Sequence, residues 1–355
     1  MIIRFLCLLV LVSSTAVAAA ESSLPDHDGE ILLPAQEWPW QPGPREIKAY
    51  LWYPEGALTG VTPDTGLMLT LHNWGGTGVT GAPDPVQLVK RYQVVAIGVD
   101  YLQSGPYDGG TAPPYDFGCL QALDALRALH FVYSELKRLD KPFATGRIYA
   151  TGGSGGGNVT LMANKFAPRT FACVIDLCGM AKLNDDIAFN LPEGSRLNAG
   201  YSRDPANPRY LPPHAQELRF VGYPGHLETM MKLGHTARVI TVHGEEDDMC
   251  PVADKKEMAA NMRAAGFEVD THFIAAKDLD GEVLKSAGHA LGDRTRIVFR
   301  CADEYLEPGA PQACRRNAPN DFDLRDDQVA YAVTGGRYVI SYAEGYPMIR
   351  FEGAP

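Results

Sequence analysis

Short apolar runs bounded by turn residues recur along this chain. Residues 66–71 (GLMLTL) and 93–99 (QVVAIGV) are continuous enough in hydrophobicity to be strands buried on both faces. Residues 46–53, 147–151 (RIYAT), 171–177 (FACVIDL), 237–242 (ARVITV) and 268–275 read as further strands. Between them the period changes. Leu120, Leu123, Leu126, Leu129, Val132 and Leu136 recur at three- and four-residue steps, which predicts a helix over 116–139 with Asp116 as its N-cap. Helices are also predicted over 155–166 and 252–265. Strand–helix alternation of this kind predicts an α/β fold, with one mainly parallel central sheet covered by helices on both faces.

Three segments break the rhythm. Residues 21–44, rich in proline and polar side chains, read as an irregular lead-in. Residues 181–236, rich in Pro, Asn, Gly and Tyr, read as an insertion or lid after the strand at 171–177. From residue 307 the chain is loop-rich, and residues 328–333 and 337–342 flank Gly335-Gly336 as a C-terminal β-hairpin. The expected organisation is a main domain over 21–306 with the 307–355 extension packed on it.

The N-terminus adds a compartment. Arg4, the apolar run 5–12 and the small residues 13–20 have the form of a secretory signal peptide, too short to span a bilayer. A secreted or periplasmic protein is expected. The six cysteines after it, Cys119, Cys173, Cys178, Cys250, Cys301 and Cys314, then suggest disulfides. Cys301–Cys314 is the first candidate pair and Cys178–Cys250 the second. No C-x-x-C spacing points to zinc. With 43 acidic against 32 basic residues and a formal net charge of −11, the chain is a poor nucleic-acid binder.

Candidate chemistry sits at predicted strand ends. Gly152-Gly153-Ser154-Gly155-Gly156 lies between a strand and a helix, where a sharp turn lifts a serine hydroxyl above the sheet and only small neighbours permit the backbone. A serine needs a base. His289, in Gly288-His289-Ala290-Leu291 after the last core strand, is best placed. His72 and His243 read as packing or supporting residues. His27, His130, His214, His226, His235 and His272 read as surface, lid or strand positions. Four acids compete in Glu245-Glu246-Asp247-Asp248; Asp247 is preferred as the partner of the imidazole, with Asp248 as the alternative. His72-Asn73-Trp74-Gly75-Gly76 follows another strand, and the backbone N–H groups of Trp74 and Gly155 are the candidate oxyanion donors, with Asn73 as fallback.

Three further motifs carry weaker readings. Gly76-Thr77-Gly78-Val79-Thr80-Gly81 matches a G-x-G-x-x-G, with Asp100 at a later strand end, but Pro83 and Pro85 fall where the phosphate-binding helix should run. Asp278-Leu279-Asp280-Gly281-Glu282 lacks the ligand set of a calcium loop and reads as a turn. Asn158-Val159-Thr160 is a glycosylation sequon, but on the helix behind the serine.

The order Ser154, Asp247, His289 is that of the α/β-hydrolases. Residues 146–157 (GRIYATGGSGGG) resemble the nucleophile turn of acetylxylan esterases and cephalosporin-C deacetylases, which carry glutamine where this chain has Gly155. Asp247-Asp248-Met249-Cys250-Pro251 is similar to that family's Asp-x-x-Cys-Pro acid loop, and His72-Asn73-Trp74 to its His-Gly-Tyr segment. Prolyl-oligopeptidase-like and dienelactone-hydrolase-like families share the logic. The resemblance implies an α/β-hydrolase fold and a serine hydrolase cleaving a small-molecule or carbohydrate ester without metal or organic cofactor; the leader adds that it is secreted. A prolyl-oligopeptidase-like peptidase, a non-catalytic binding protein on the same scaffold and acyl transfer to an acceptor other than water are the alternatives.

Overall fold

The apolar runs at 66–71 and 93–99 become adjacent strands in the middle of one sheet. The computed structural model describes residues 23–192, 194–343 and 345–354; the expected leader lies outside them. In chain order the elements are β1 (Gly29–Ala35), β2 (Arg45–Trp52), β3 (Gly66–Leu71), α1 (Pro85–Tyr92), β4 (Val94–Asp100), α2 (Cys119–Arg138), β5 (Ile148–Gly153), α3 (Gly155–Phe166) and β6 (Cys173–Leu177). The insertion carries α4 (Asp185–Phe189), α5 (Pro213–Leu218) and α6 (Pro224–Leu233). Then come β7 (Arg238–Gly244), α7 (Val252–Ala264), β8 (Val269–Ile274), α8 (Arg294–Leu306), β9 (Gln328–Val333), β10 (Gly336–Ser341) and β11 (Met348–Gly353). Among the described residues no helix is long and apolar enough to cross a membrane.

The main sheet has eight strands in the order β1-β2-β4-β3-β5-β6-β7-β8. β1 pairs antiparallel with β2 and β2 with β4; all the other pairs are parallel. Strand periodicity divides the interior into two cores. Leu67, Leu69 and Leu71 of β3 face a core shared with α2 and α3, while Met68 faces a second core with Leu88 of α1 and Ile297 and Val298 of α8. Each such side chain contributes about 1.5–3 kcal/mol through burial. Strand order reverses at β3, whose neighbours are β4 on one side and β5 on the other. The loops leaving β3 and β5 therefore diverge, and their carboxyl ends are where ligands bind in open sheets of this kind.

Several sequence expectations are corrected. The lead-in contains β1, where Ile31 and Leu33 point inward and Glu30, Leu32 and Pro34 outward. The prolines near residue 85 do not prevent a helix: Pro85 starts α1, and the Asp84 carboxylate caps it by accepting from Val86 N and Gln87 N. A proline costs nothing at this position because its missing N–H has no helical partner anyway. α2 is capped at Gly118, two residues after Asp116, whose carboxylate accepts from Gln121 N at 2.9 Å. The C-terminal hairpin gains β11 and becomes a three-stranded antiparallel sheet. Its Val329, Tyr331, Ile340 and Ile349 lie in the same core as α2 and α3.

The disulfide expectation also fails: all six described cysteines are free thiols. Cys314 does not face Cys301. Its thiol lies beside Cys173, whose strand neighbour Tyr149 donates its hydroxyl to the Cys314 carbonyl at 2.9 Å. His130, on α2, is buried, and so are His226 and His235 of the insertion.

Candidate active site

The nucleophile turn is built by close approach. Ser154 sits between β5 and α3 at φ 55° and ψ −118°, a strained backbone for a residue with a side chain. A Cβ on Gly155 would lie 2.5 Å from Trp74 N, and one on Gly156 would run into the Leu71 carbonyl. The two glycines let α3 start directly against the loop leaving β3. Ser154 N–H donates to the Leu177 carbonyl at 2.8 Å, which fixes the turn to β6.

The acid and the base come from the next two strand ends. Asp247 follows β7. Its Oδ1 accepts from Met249 N at 2.9 Å and Cys250 N at 2.8 Å, so the loop folds around the carboxylate. Its Oδ2 lies 2.8 Å from His289 Nδ1. His289 stands at the tip of a tight loop in which Lys285 and Ser286 N–H both donate to the Leu291 carbonyl. Glu246 N–H donates to Ala287 O at 2.9 Å, tying that loop to the acid loop. His289 Nε2 lies 2.8 Å from Ser154 Oγ. The structure thus brings Ser154, His289 and Asp247 into one hydrogen-bonded relay. Asp248, the alternative acid, points to solvent and pairs with Arg196 at 2.7 Å.

The electrostatics suit that relay. Burial alone would push the Asp247 carboxyl up, but the His289 hydrogen bond, the Cys250 N–H and the nearby imidazoles hold it below its ordinary value. It is therefore an anion at neutral pH, able to hold the imidazole with its proton on Nδ1. His243, read from the sequence as a packing or supporting residue, also reaches it. His243 Nε2 lies 2.8 Å from the Cys250 carbonyl and 3.4 Å from Asp247 Oδ2. Burial, reinforced by the Lys255 cation, pushes His243 down to about 4, so it is neutral near pH 7. Beneath it, Lys255 and Asp176 form a fully buried ion pair at 2.5 Å. Asp176 also accepts from Gly179 N and Thr241 Oγ1. The signal for this pair was present in the sequence: a lone acid inside the apolar run FACVIDL needs a buried partner.

The loop leaving β3 completes the site. His72 is buried, with Nδ1 2.8 Å from the Asn73 carbonyl and Nε2 2.7 Å from Ser104 Oγ. The Trp74 ring stacks on Tyr115 at 3.6 Å and 5°, with Tyr107 and Phe117 edge-on. Ring and loop together hold Trp74 N beside Gly155. Neither the Trp74 nor the Gly155 N–H donates to another described residue. The Asn73 side chain lies over Gly76 and Gly81, within its own turn. The insertion packs Ile187 and Leu211 with Met180, Tyr115, Phe117 and Cys250 in a separate small core.

The remaining motifs have structural explanations. Asp100 accepts from Gly78 N at 2.6 Å and Tyr50 OH at 2.7 Å, so the glycine-rich segment and its acid bind each other. Asp280 accepts from the N–H groups of Glu282, Val283 and Leu284 in a turn. Asn158 is buried and donates to the Met180 carbonyl at 2.9 Å.

Comparison with known proteins bears on the fold. Residues 194–317 match a family described as "Protein of unknown function (DUF2920)". No curated protein matches the chain. Among solved structures, the acylaminoacyl peptidase of Pyrococcus horikoshii is 18% identical with a TM-score of 0.52, covering 76% of this chain and 40% of its own. An acylaminoacyl peptidase in complex with Z-Gly-Gly-Phe-chloromethyl ketone is 16% identical with a TM-score of 0.50, at the same coverage. A thermostable esterase is 17% identical with a TM-score of 0.37, covering 68% of this chain and 53% of its own. The chain thus spans about 40% of the length of these peptidases. The shared architecture, with its switch point at β3 and its mostly parallel eight-stranded sheet, shows that the chain has the α/β-hydrolase fold.

Proposed function

We propose that this protein is a serine hydrolase that cleaves a carboxylic ester through an acyl-enzyme. The observation that carries the reading is the relay Ser154–His289–Asp247, with both links at 2.8 Å, next to two uncommitted backbone N–H groups. Ser154 Oγ attacks the acyl carbon while His289 Nε2 takes the hydroxyl proton. The carbonyl oxygen becomes an oxyanion held by Trp74 and Gly155 N–H, and Asp247 stabilises the imidazolium. The tetrahedral intermediate collapses, His289 protonates the departing alkoxide, and the acyl group stays on Ser154. Water then attacks with His289 as base, releasing the acid and restoring the serine.

The resemblance of the Ser154 and Asp247 segments to acetyl esterases supports a short acyl group on oxygen. The aromatic wall of Trp74, Tyr115 and Tyr107 beside the oxyanion donors supports a restricted acyl site. The run Arg4 to Ala20 supports export, which the N-terminal residue of the mature protein would test. A peptidase reading draws on the acylaminoacyl peptidases of the same fold. Nitrophenyl acetate, longer nitrophenyl esters and acylaminoacyl or Xaa-Pro amides, assayed with wild type and Ser154→Ala, separate the readings. Ester turnover that falls by about 10⁶-fold in Ser154→Ala, together with loss of fluorophosphonate labelling, is the expected result. Unchanged turnover in Ser154→Ala overturns the hydrolase reading, and amide turnover exceeding ester turnover replaces it with the peptidase.

A further inference from the structure

Cys178, directly after β6, adds a third kind of ligand atom to the relay. Its sulfur, an Asp247 carboxylate oxygen and a His289 ring nitrogen all lie within 4.8 Å of one another. The Cys178 backbone is held at φ 51°, and its N–H donates to the Val242 carbonyl at 2.9 Å, so the thiol direction is set by the scaffold. The side chains of Cys178 and Asp247 are buried, while that of His289 is 14% exposed and gives the access. We propose that Cys178, Asp247 and His289 form a binding site for a thiophilic divalent cation of the zinc class, and that occupancy switches the relay off.

The ligand chemistry favours this class of ion. Tetrahedral zinc takes sulfur at about 2.3 Å and imidazole nitrogen or carboxylate oxygen at about 2.0–2.2 Å, which sets ligand atoms roughly 3.3–3.7 Å apart. The Asp247–His289 pair, at 2.8 Å, opens by about 0.5 Å to admit the ion while the sulfur, within 4.8 Å of both, draws in, and His289 stands on a loop tip that can supply the movement. A thiolate and a carboxylate neutralise a dication, so the occupied site brings no net charge into the interior. Burial and the neighbouring Asp247 push the Cys178 thiol up, so without the ion it keeps its proton. Metal coordination removes that proton. Magnesium and calcium, which prefer all-oxygen shells, are poor occupants of a site with sulfur and nitrogen.

Inhibition follows from the tautomer. His289 Nδ1 is the nitrogen beside Asp247. An ion there takes the Nδ1 lone pair, and the ring proton passes through solvent to Nε2. Nε2–H then donates to Ser154 Oγ and can no longer accept its proton. The balance is one proton released, from the Cys178 thiol, with no oxidation or reduction. Only this inhibitory step rests on the hydrolase reading; the binding site stands without it.

The test uses the full protein, with free Zn²⁺ set by a chelator buffer and nitrophenyl acetate as substrate. Wild type loses activity as free Zn²⁺ rises, and equal Mg²⁺ has no effect. Cys178→Ala and the near-isosteric Cys178→Ser hydrolyse ester at close to the wild-type rate without zinc, and need at least about 10-fold more Zn²⁺ for half-inhibition. Independently of turnover, one equivalent of Co²⁺ gives wild type a thiolate-to-cobalt charge-transfer band that both variants lack. A protein without esterase activity but with that band sinks the hydrolase reading and keeps the site. A wild type without the band, or folded Cys178 variants with undiminished zinc sensitivity, overturns the site.

Discussion

Replacing Asp247 with asparagine tests the relay at the atom where the structure is most specific. The carboxylate takes two backbone N–H groups on Oδ1, from Met249 and Cys250, and faces two imidazoles on Oδ2, His289 at 2.8 Å and His243 at 3.4 Å. An amide has one oxygen. Facing it to Met249 and Cys250 keeps two hydrogen bonds and turns the NH₂ toward His289. That NH₂ needs an acceptor, so His289 must carry its proton on Nε2, pointing a donor at Ser154. Wrong-tautomer relays of this type lose about 10⁴-fold in kcat, as the comparable substitution in chymotrypsin-type enzymes does. That corresponds to about 5 kcal/mol of transition-state stabilisation. KM should change little, because the lost interaction is specific to the transition state. Loss of the charge-assisted bond to His289 should also reduce stability by about 1.5–3 kcal/mol. Asp248→Asn is the control: its exposed pair with Arg196 is worth little, so activity and stability should stay near wild type. Nitrophenyl acetate kinetics and urea unfolding of both variants decide the matter. Asp247→Asn within 10-fold of wild type, or a larger loss in Asp248→Asn, would refute the reasoning.

Gly155→Ala places a Cβ 2.5 Å from Trp74 N and must push one oxyanion donor off position, so kcat should fall by about 10²–10³-fold in steady-state assays. Lys255→Met leaves the fully buried Asp176 carboxylate unpaired and should cost about 3–5 kcal/mol in urea unfolding. Adding Asp176→Asn should recover part of that, because the remaining amide oxygen still accepts a hydrogen bond. Four histidines, His130, His226, His235 and His243, are pushed down by burial to about 4, 3, 3 and 4. Below an unfolded value of about 6.5 the unfolded chain binds protons that the folded chain refuses, so stability should be lost as pH falls from 6.5 toward 4. Each contributes a slope of at most about 1.4 kcal/mol per pH unit, and urea midpoints that stay flat over that window would contradict the burial argument.

The fold and the relay were legible to different depths for a physical reason. β3, β4 and the turn at Ser154 are specified locally, by an apolar run or by glycines around one strained residue, and those features can be read along the chain. The choice between Asp247 and Asp248 is not local in that sense. It depends on the loop closing around one carboxylate so that Met249 and Cys250 N–H groups point inward, which leaves the neighbouring side chain facing solvent. β1 was hidden because its pairing with β2 crosses a proline-rich stretch, and only the partner reveals that Ile31 and Leu33 share a face. The cysteine pairing failed from the opposite assumption, that nearness in sequence gives nearness in space. Cys301 is fixed by the course of α8, whereas Cys314 is carried to Cys173 by the Tyr149 and Tyr305 hydrogen bonds. The same logic explains His243, Asp176 and Lys255. None makes a motif, yet together they fix the ends of β6 and β7, the two strands from which Cys178 and Asp247 emerge. Errors in placing such supporting residues propagate directly to the relay, because a hydrogen bond weakens steeply once its angle or distance departs from the optimum.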